Sequence, residues 1–526
     1  MDEFPNELLL QIFSLLHTPI TCFSSPRVPA PSRDLLALCR VCRSFRDVAR
    51  SLIYESIERA GDMNSEAFRQ LPRTLLKNVE LCRYIKSLRL KMEDGFEVGD
   101  FWAGHDLPAT SEHMDEGGNE RLIDNARCIR YQRRHRCDTP ESSEYAVDET
   151  VNEMPEPYGW LSKLISAMDS SQAHADDHDL LERAVLGEDV LLTPCVLSAS
   201  NLERLWIRLP RLQLDGSHTS FLFNSLAHSA YEGGFERLRL LHLDIHQSGL
   251  EWPVRNALPF FLLPNLIELT LGNCGETNHE SRWSVGPDVN DSTFMGQPWT
   301  WPVRGSPITR LTLLSPRFSG SIVAKMILAC RAVTEFEVVL PYHDQPRDSE
   351  FFEHVEVALV EHADTLIKLS FGDLLAAVDR SLPNRLGVFR MGTRLTSLTF
   401  LRATPHTLLG YDNGCKFSLQ PVPFLSDALP TTIEHLWFDL PCRPWNMSLD
   451  PYFAGLYQAH QNGKFPRLKS IYIHWHQKFT YDWDVITHFL RDLMYLRERA
   501  MGITFDICVR IACATPGKIV LIILLH

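Results

Sequence analysis

The chain has 526 residues, of which 44% are hydrophobic and 22% charged, a composition typical of a folded protein with a sizeable core. Its formal net charge of −14 argues against the basic surface that nucleic-acid binding requires, so we expect no nucleic-acid partner. The longest uninterrupted apolar run, residues 519–525, is far shorter than the roughly 18 residues needed to cross a bilayer, so we expect no membrane partner.

The compartment is predicted from the N-terminal residues and the cysteines. Residues 1–10 carry Asp2, Glu3 and Glu7 and lack a basic segment, which is not typical of a secretory signal. Without secretion, the 13 cysteines are expected to be free thiols, and the sequons at Asn290 and Asn446 to be unused. The expected localisation is cytoplasmic and/or nuclear.

A short helical module is predicted at the start of the chain. Residues 4–16 carry apolar side chains at helical spacing, and Pro5 and Glu7 suit a first helical turn. The proline-rich residues 18–32 predict a loop, and a second helical pattern covers residues 34–54. Helices this short cannot bury all of that apolar surface themselves, so the module is expected to bind a partner.

These residues resemble the F-box. The family pattern begins Leu-Pro-x-Glu-Leu-Leu-x-x-Ile-Phe and, after a loop, continues Leu-x-x-Val-Cys-(Arg/Lys)-x-(Trp/Phe). Phe4 replaces the first leucine, and the loop is longer than in the compact form of the motif. The matching residues are Pro5, Glu7, Leu8, Leu9, Ile12, Phe13, Leu38, Val41, Cys42, Arg43 and Phe45, with Leu52 and Tyr54 closing the second half.

The resemblance implies docking to the Skp adaptor of a cullin–RING ubiquitin ligase of the SCF type. The expected contact is a helix-in-groove interface, in which the apolar stripes of the module are buried against the adaptor. The residues assigned to that interface are Pro5, Leu8, Leu9, Ile12, Phe13, Leu16, Leu38, Val41, Cys42 and Phe45.

The composition changes in residues 91–160. This stretch has 17 Asp and Glu against 7 Lys and Arg, a net charge of −10, and no apolar period, which predicts a disordered insert. The basic run at residues 130–136 is interpreted as local counter-charge, with a nuclear address or an RNA contact as alternatives. His174 and His178 have metal-ligand spacing, but a solvated acidic loop is the preferred interpretation.

Much of the remaining chain repeats the pattern apolar-x-x-apolar-x-apolar. After the first copy, the copies begin 25 to 42 residues apart, and helical patterns fill the gaps between short β-rich segments. They begin at Ile85, Leu202, Leu238, Leu266, Ile308, Val333, Leu366, Leu395, Ile433, Leu468 and Ala500.

One strand and one helix per copy resembles the leucine-rich repeat, in an irregular version with longer spacing. The predicted fold class is α/β: a helical F-box followed by an irregular leucine-rich-repeat solenoid, with parallel strands on its concave face and helices outside. The expected organisation is an F-box at 1–56, a linker helix and first repeat at 57–90, the acidic insert at 91–160, the repeat domain at 161–510, and an apolar tail at 511–526.

The open face of the repeat sheet is the predicted target-binding surface. Because side chains alternate along a strand, the residues between the repeat leucines face away from the core. Large groups at these positions are predicted to bind the target, namely Arg204, Trp206, Arg208, His435, Trp437, Asp439, Tyr472 and His474.

Smaller groups occupy the middle repeats, at Thr270, Thr312, Ser370 and Thr399. In an alternative interpretation, Trp206 and Trp437 are covered by neighbouring loops such as the Trp-rich residues 283–301.

No motif for catalysis or for a cofactor is present: the chain lacks a phosphate loop, a GxGxxG, a GxSxG and an HExxH. Cys39 and Cys42 form a CxxC that could bind metal or cycle redox, but the F-box resemblance explains its helix. We therefore expect no metal, no cofactor and a non-catalytic adaptor. The alternatives are a leucine-rich-repeat scaffold outside any ligase, and an unrecognised enzyme for which no constellation is found.

Overall fold

The fold is given by a computed structural model of the chain. Every residue that it describes belongs to the unit formed by Met1–Glu97 and Glu182–His526, whereas Val98–Leu181 lies outside the description. The predicted insert, the two spaced histidines and the basic run lie almost entirely outside it. The described residues are 5–15, 33–62, 70–72, 74–75, 78–93, 192–209, 221–245, 252–275, 293–294, 297–298, 301–340, 350–373, 389–404, 407–408, 425–440, 450–478, 491, 503–512 and 519–525.

Three helices form the N-terminal module: α1 (Asn6–Ser14), α2 (Arg33–Leu38) and α3 (Arg43–Glu55). Their apolar residues recur every three or four positions, so each helix presents one apolar face to the other two. The module has a small core of its own, separate from the core of the rest of the chain. The core residues are Leu9, Phe13, Leu35, Val48, Ala49 and Leu52.

Thirteen strands of one sheet follow the module. All are short, and most are rich in Leu, Ile, Val and Phe, as expected for strands with one buried face. They are β1 (Ser56–Asp62), β2 (Ser87–Glu93), β3 (Arg204–Leu209), β4 (Leu240–Ile245), β5 (Glu268–Gly272), β6 (Arg310–Leu314), β7 (Glu335–Leu340), β8 (Lys368–Asp373), β9 (Phe400–Ala403), β10 (His435–Leu440), β11 (Ser470–Lys478), β12 (Thr504–Ala512) and β13 (Ile519–Leu525).

The order of the strands in the sheet is their order along the chain. Each strand from β1 to β11 pairs in parallel with the next one, and β13 pairs antiparallel with β12. The sheet therefore runs from an edge at β1 to an edge at β13 and does not close. The predicted mixed α/β class and parallel sheet are confirmed.

Helical segments lie between most of the described strands and pack on the face that carries the repeat leucines, where both contribute to a single core. Phe336 of β7 and Phe371 of β8 are fully buried there, as are Phe351 and Phe352 between them. The helices are α4 (Thr193–Leu197), α5 (Phe221–Tyr231), α6 (Gly320–Ala329), α7 (Phe351–Val360), α8 (Leu425–Ala428) and α9 (Asp450–Gln461), with 3-10 helices at Val79–Tyr84, Val254–Leu262 and Met391–Arg394.

Two repeat copies are placed differently from the prediction. Leu369 pairs with Leu401, so the copy predicted from Leu395 begins three residues later, at Leu398. Ile471 pairs with Phe505, so the copy predicted from Ala500 is displaced by two residues. The cause is the degeneracy of the pattern, because apolar residues at 395, 398 and 401 satisfy the spacing in either frame.

The apolar tail adds a strand to the sheet. β13 pairs with residues 507–512 of β12 through an antiparallel register with an irregularity at Ile511 and Ala512. Among the residues that the structure describes, no helix combines the length and apolarity needed to cross a bilayer.

Candidate functional site

The core of the N-terminal module takes up part of the predicted adaptor-binding set. Leu9 and Phe13 are buried, and the Phe13 ring meets the Phe45 ring edge-on at 5.2 Å between centroids. Leu38 and Phe45 are partly buried against the same core. Truncating any of these four would remove core contacts of the module, so their contribution to an interface is to hold its shape.

Four other residues of the predicted set are exposed at the surface. Leu8, Ile12 and Val41 are 44%, 48% and 62% exposed, and Pro5 is exposed at the start of α1. Leu16 lies outside the described residues. Three further apolar side chains of the module that the prediction left out are also exposed, namely Leu10, Leu15 and Leu36.

The CxxC has a local structural role. Cys42 is the N-cap residue of α3, and its Sγ accepts a hydrogen bond from the Phe45 backbone N–H at 3.5 Å. Both Cys39 and Cys42 are free thiols at intermediate burial. In the described part of the chain, no three His, Cys, Asp or Glu side chains are grouped so that they could hold a metal ion.

The open face of the sheet is built by the alternation of side chains along each strand. In β3, Leu205, Ile207 and Leu209 are buried, whereas Arg204, Trp206 and Arg208 are only partly buried. The parallel register places residues of successive strands side by side in rows. The row through Trp206 contains Glu58, Arg89, Trp206, His242, Thr270, Thr312, Glu337, Ser370, Arg402, Trp437, Tyr472 and Asp506.

Five residues of β2, β3 and β4 form what we call the early cluster: Arg89, Trp206, Arg208, His242 and Asp244. The His242 ring is stacked on the indole of Trp206, with 4.7 Å between centroids and 20° between planes. The guanidinium carbons of Arg89 and Arg208 lie 4.7 and 5.8 Å from the indole centroid. Because β2 and β4 flank β3 on opposite sides, the indole is held between its neighbours and orients both arginines.

Asp244 fixes the other end of Arg208. Its Oδ2 accepts a hydrogen bond from Arg208 Nε at 2.7 Å, and its Oδ1 accepts one from Asn273 Nδ2 at 3.1 Å. Asn273 adopts a φ of 52°, a left-handed conformation that asparagine tolerates and that directs its amide back to Asp244. Gly272 is required beside it, since a Cβ there would collide with the Asp244 carboxylate.

His242 is a neutral member of the early cluster. Burial lowers the pKa of His242 from 6.5 to about 4. The charge of Asp244 raises this pKa, whereas the charges of Arg208 and Arg89 lower it further. Its Nε2 is buried and has no hydrogen-bond partner among the described residues. The imidazole is therefore uncharged at neutral pH, and the positive charge of the cluster resides on the arginines.

Five residues of β9, β10 and β11 form the late cluster: Arg402, Trp437, Asp439, Tyr472 and His474. The Asp439 carboxylate accepts three hydrogen bonds, from Arg402 Nε at 2.6 Å, Trp437 Nε1 at 3.0 Å and His474 Nδ1 at 3.1 Å. The Trp437 ring packs against Tyr472, with 4.0 Å between centroids, and the guanidinium carbon of Arg402 lies 5.1 Å from the Trp437 centroid.

The electrostatics of the late cluster centre on Asp439, which is 8% exposed. Burial alone would raise the pKa of this carboxyl. The hydrogen bonds from His474, Arg402 and Trp437 and the charge of Arg402 outweigh burial and lower the pKa of Asp439 below its usual 3.8. The carboxylate is thus ionised at neutral pH and ties three strands together.

All eight residues of the predicted target surface fall on the open face, in two groups. His435 lies beside the late cluster, where its Nδ1 is 2.8 Å from Ser470 Oγ, and Arg204 lies at the start of β3. The prediction for Thr399 was wrong, because the repeat frame is displaced and Thr399 precedes β9. Arg402 takes the predicted place beside Ser370 in the row through Trp206.

Sequence reasoning missed Arg89, His242, Asp244 and Arg402 in the two clusters. The signal that could have found them is alignment of the repeat copies, which brings each of them beside a residue already named. Trp301, in the loop proposed as a cover, packs edge-on against Phe261 at 5.5 Å. Trp206 and Trp437 are partly buried and each packs against a ring of its own cluster. Most of residues 283–301 lie outside the described residues, so cover by that loop stays a prediction.

Comparison with known families adds one finding at the N-terminus. Residues 1–59 match the family model described as F-box-like, which covers all three helices of the module. Comparison with curated proteins gives no match. The chain therefore carries an F-box-like domain at residues 1–59, followed by an open parallel α/β sheet.

Proposed function

We propose that this protein is the substrate-receptor subunit of an SCF-type cullin–RING ubiquitin ligase. F-box domains bind Skp-type adaptors in such ligases, and members of the family are generally non-catalytic. The observation that carries the proposal is the surface of the module: its core is closed, yet Leu8, Ile12 and Val41 remain exposed. Exposed apolar side chains on so small a domain favour burial against a partner.

The target-binding part of the proposal is an irregular leucine-rich-repeat domain. Its support is the recurrence of one strand and, in most copies, one helical segment, with successive strands adjacent and parallel. Such a domain presents a wide face of side chains in register, and binding there would raise the local concentration of a target near the ligase without any chemistry by this chain. Cytoplasmic and/or nuclear localisation is part of the same proposal.

Ile12→Asp tests adaptor docking. Because Ile12 is 48% exposed, the substitution should leave the module folded but bury an unpaired carboxylate in the interface. We expect at least about a hundredfold weaker capture of a purified Skp-type adaptor. Val357→Asp is the matched control, since Val357 is 60% exposed on α7, and it should bind normally. Undiminished capture by folded Ile12→Asp would refute the F-box interface.

Trp437→Ala combined with Tyr472→Ala tests the late cluster as a target surface. Removing both rings deletes the largest apolar contacts that the cluster offers, so we expect the target to be lost and to accumulate in cells. Adaptor capture should survive, because the adaptor residues belong to the N-terminal module, whose core is separate from the core of the sheet. Degradation of the target at the wild-type rate would place recognition elsewhere.

The alternative function is a leucine-rich-repeat scaffold that is not assembled into a ligase. Such a scaffold would bind its partners through the same face of the sheet but would not associate with a cullin. Affinity purification with mass spectrometry, with and without proteasome inhibition, distinguishes the two, because only the receptor should bring down a cullin and accumulate its targets when the proteasome is blocked.

A further inference from the structure

The early cluster has hydrogen-bonding capacity that its neighbours do not use. Within the described residues, Arg208 donates only through Nε, to Asp244, while its side chain is 32% exposed. Arginine has five N–H donors in a planar fork, so the two terminal amino groups of Arg208 remain for a ligand. The Trp206 indole and Asp244 together hold the fork in one orientation.

Cationic side chains outnumber carboxylates among the described residues around that fork. In the three rows at the register of Arg204, Trp206 and Arg208, the described side chains of β1 to β4 include four cations and two carboxylates. His242 adds no charge at neutral pH. The cations are Arg89, Lys91, Arg204 and Arg208, and the carboxylates are Glu58 and Asp244.

The two carboxylates show which ligand chemistry this surface accepts. Glu58 contacts Arg89 Nη1 at 2.9 Å, and Asp244 contacts Arg208 Nε at 2.7 Å. Both guanidiniums therefore lie next to carboxylates, and Arg208 donates a charge-assisted hydrogen bond to its carboxylate. An acidic ligand would add a further carboxylate beside arginines that already lie next to carboxylates of the sheet.

We propose that the open face of β3, centred on Arg208 and Arg204, binds an extended acidic segment of a target protein. Arg204 and Arg208 are four residues apart on one strand, which is roughly 13 Å. Two acidic side chains four residues apart in an extended segment have the same separation, so this spacing is the preferred one. The inference names the target class of the proposed receptor and in that sense rests on the proposed function.

A nucleic acid fits the same surface less well. The chain has a net charge of −14, and the cationic rows span only two strands, β2 and β3. Nucleic-acid binding at physiological salt relies on many phosphate contacts spread over a basic surface. A short carboxylate-bearing peptide needs only the two arginines and the space between them.

The test uses the full chain and a fluorescein-labelled Gly/Ser peptide that carries two glutamates four residues apart, with a leucine midway between them. Fluorescence anisotropy should show saturable binding of this spaced-glutamate peptide, and the binding should weaken as salt is raised. Peptides with glutamine in place of both glutamates, or with the glutamates two residues apart, should bind at least about tenfold more weakly.

Arg208→Gln should weaken binding of the spaced-glutamate peptide about tenfold, since it removes the charge and the terminal donors. Arg208→Lys should fall in between, because lysine keeps the charge but lacks the fork. Arg331→Gln removes an exposed arginine in the turn before β7 and serves as the matched control. The thermal transition of each variant establishes whether it is folded. If Arg208→Gln does not fold, Arg208→Lys and Arg204→Gln are compared with the wild type instead.

Equal binding of the glutamine peptide, or unchanged affinity in both Arg208 variants, would overturn the inference. So would binding of a phosphoserine peptide or a single-stranded RNA where the spaced-glutamate peptide fails. Adaptor capture measured on the same preparations reports separately on the proposed function. Loss of adaptor binding with intact peptide binding would remove the ligase role and leave the acidic-segment site.

Discussion

The early and late clusters use the same ion pair for different ends. In each, an arginine donates through Nε to a buried aspartate, at 2.7 Å in Arg208–Asp244 and 2.6 Å in Arg402–Asp439. In each, a guanidinium also lies over a tryptophan ring. The two tryptophans are seven strands apart in the sheet, which is roughly 33 Å if the strands were laid flat.

The difference lies in how far each aspartate is satisfied. Asp439 accepts from side chains of three neighbouring strands, and Arg402 also lies 3.9 Å from Glu337. Asp244 accepts from Arg208 and Asn273, and in the described part of the chain the terminal amino groups of Arg208 donate to no residue. The late cluster therefore stabilises the contact between neighbouring strands and presents two aromatic rings. The early cluster has donors that could bind a ligand.

Asp439→Ala should give the largest loss of stability. It leaves the donors of Arg402, Trp437 and His474 without their acceptor in a mostly buried position, at a cost of about 3 kcal/mol. Asp244→Ala removes an acceptor from two donors, and we expect about 2 kcal/mol. Urea unfolding of both variants measures the contrast. A larger loss of unfolding free energy for Asp244→Ala would show that the early cluster contributes more to stability than the late cluster.

The pH dependence of stability should separate the clusters. Because the folded pKa of His242 is about 4 and its usual value 6.5, stabilisation by the neutral imidazole is complete above pH 6.5 and declines as pH falls towards 4. Asp439, whose pKa is lowered from 3.8, contributes stability that is lost only below that pH.

His242→Phe keeps a ring against Trp206 and removes the titration. Between pH 7 and pH 5 the wild type should lose about 1–2 kcal/mol more than this variant, measured by urea unfolding at both pH values. The pKa of His362 is also lowered by burial, but this residue is present in both proteins and cancels in the difference. Identical pH profiles would mean that His242 does not titrate in the predicted range.

Gly272→Ala should cause a smaller loss of stability than the aspartate and histidine changes. It can be compared with a second glycine, Gly372, in the same row of the sheet. Its Cβ would push the Asp244 carboxylate away from Arg208, at a cost of about 1 kcal/mol. Gly372→Ala is the matched change, because the nearest atom is Cγ2 of Val339 at 3.0 Å, and we expect less than about 0.5 kcal/mol. Peptide binding by Gly272→Ala should weaken together with its stability, since both depend on the position of Arg208.

Much of the sheet was predictable from local pattern, and its errors have a local cause. Leu205 and Ile207 were expected in the core and are fully buried, because alternation along a strand is set by the backbone. The repeat at Leu395 was misplaced because a degenerate apolar pattern admits two frames. Only pairing with β8 selects one, and that choice brings Arg402 rather than Thr399 beside Trp437.

The sequence by itself determined the two halves of the F-box-like module, the recurring strands and the side of the sheet on which Arg204, Trp206 and Trp437 lie. These features follow from helical and strand periodicity, which are properties of neighbouring residues. Tertiary structure alone decided that Ile12 is exposed while Phe13 is buried. It also decided that, among the described residues, Arg208 donates only through Nε, whereas Asp439 accepts from three donors. Such outcomes depend on contacts between residues that are distant in the chain, and local periodicity contains no information about them.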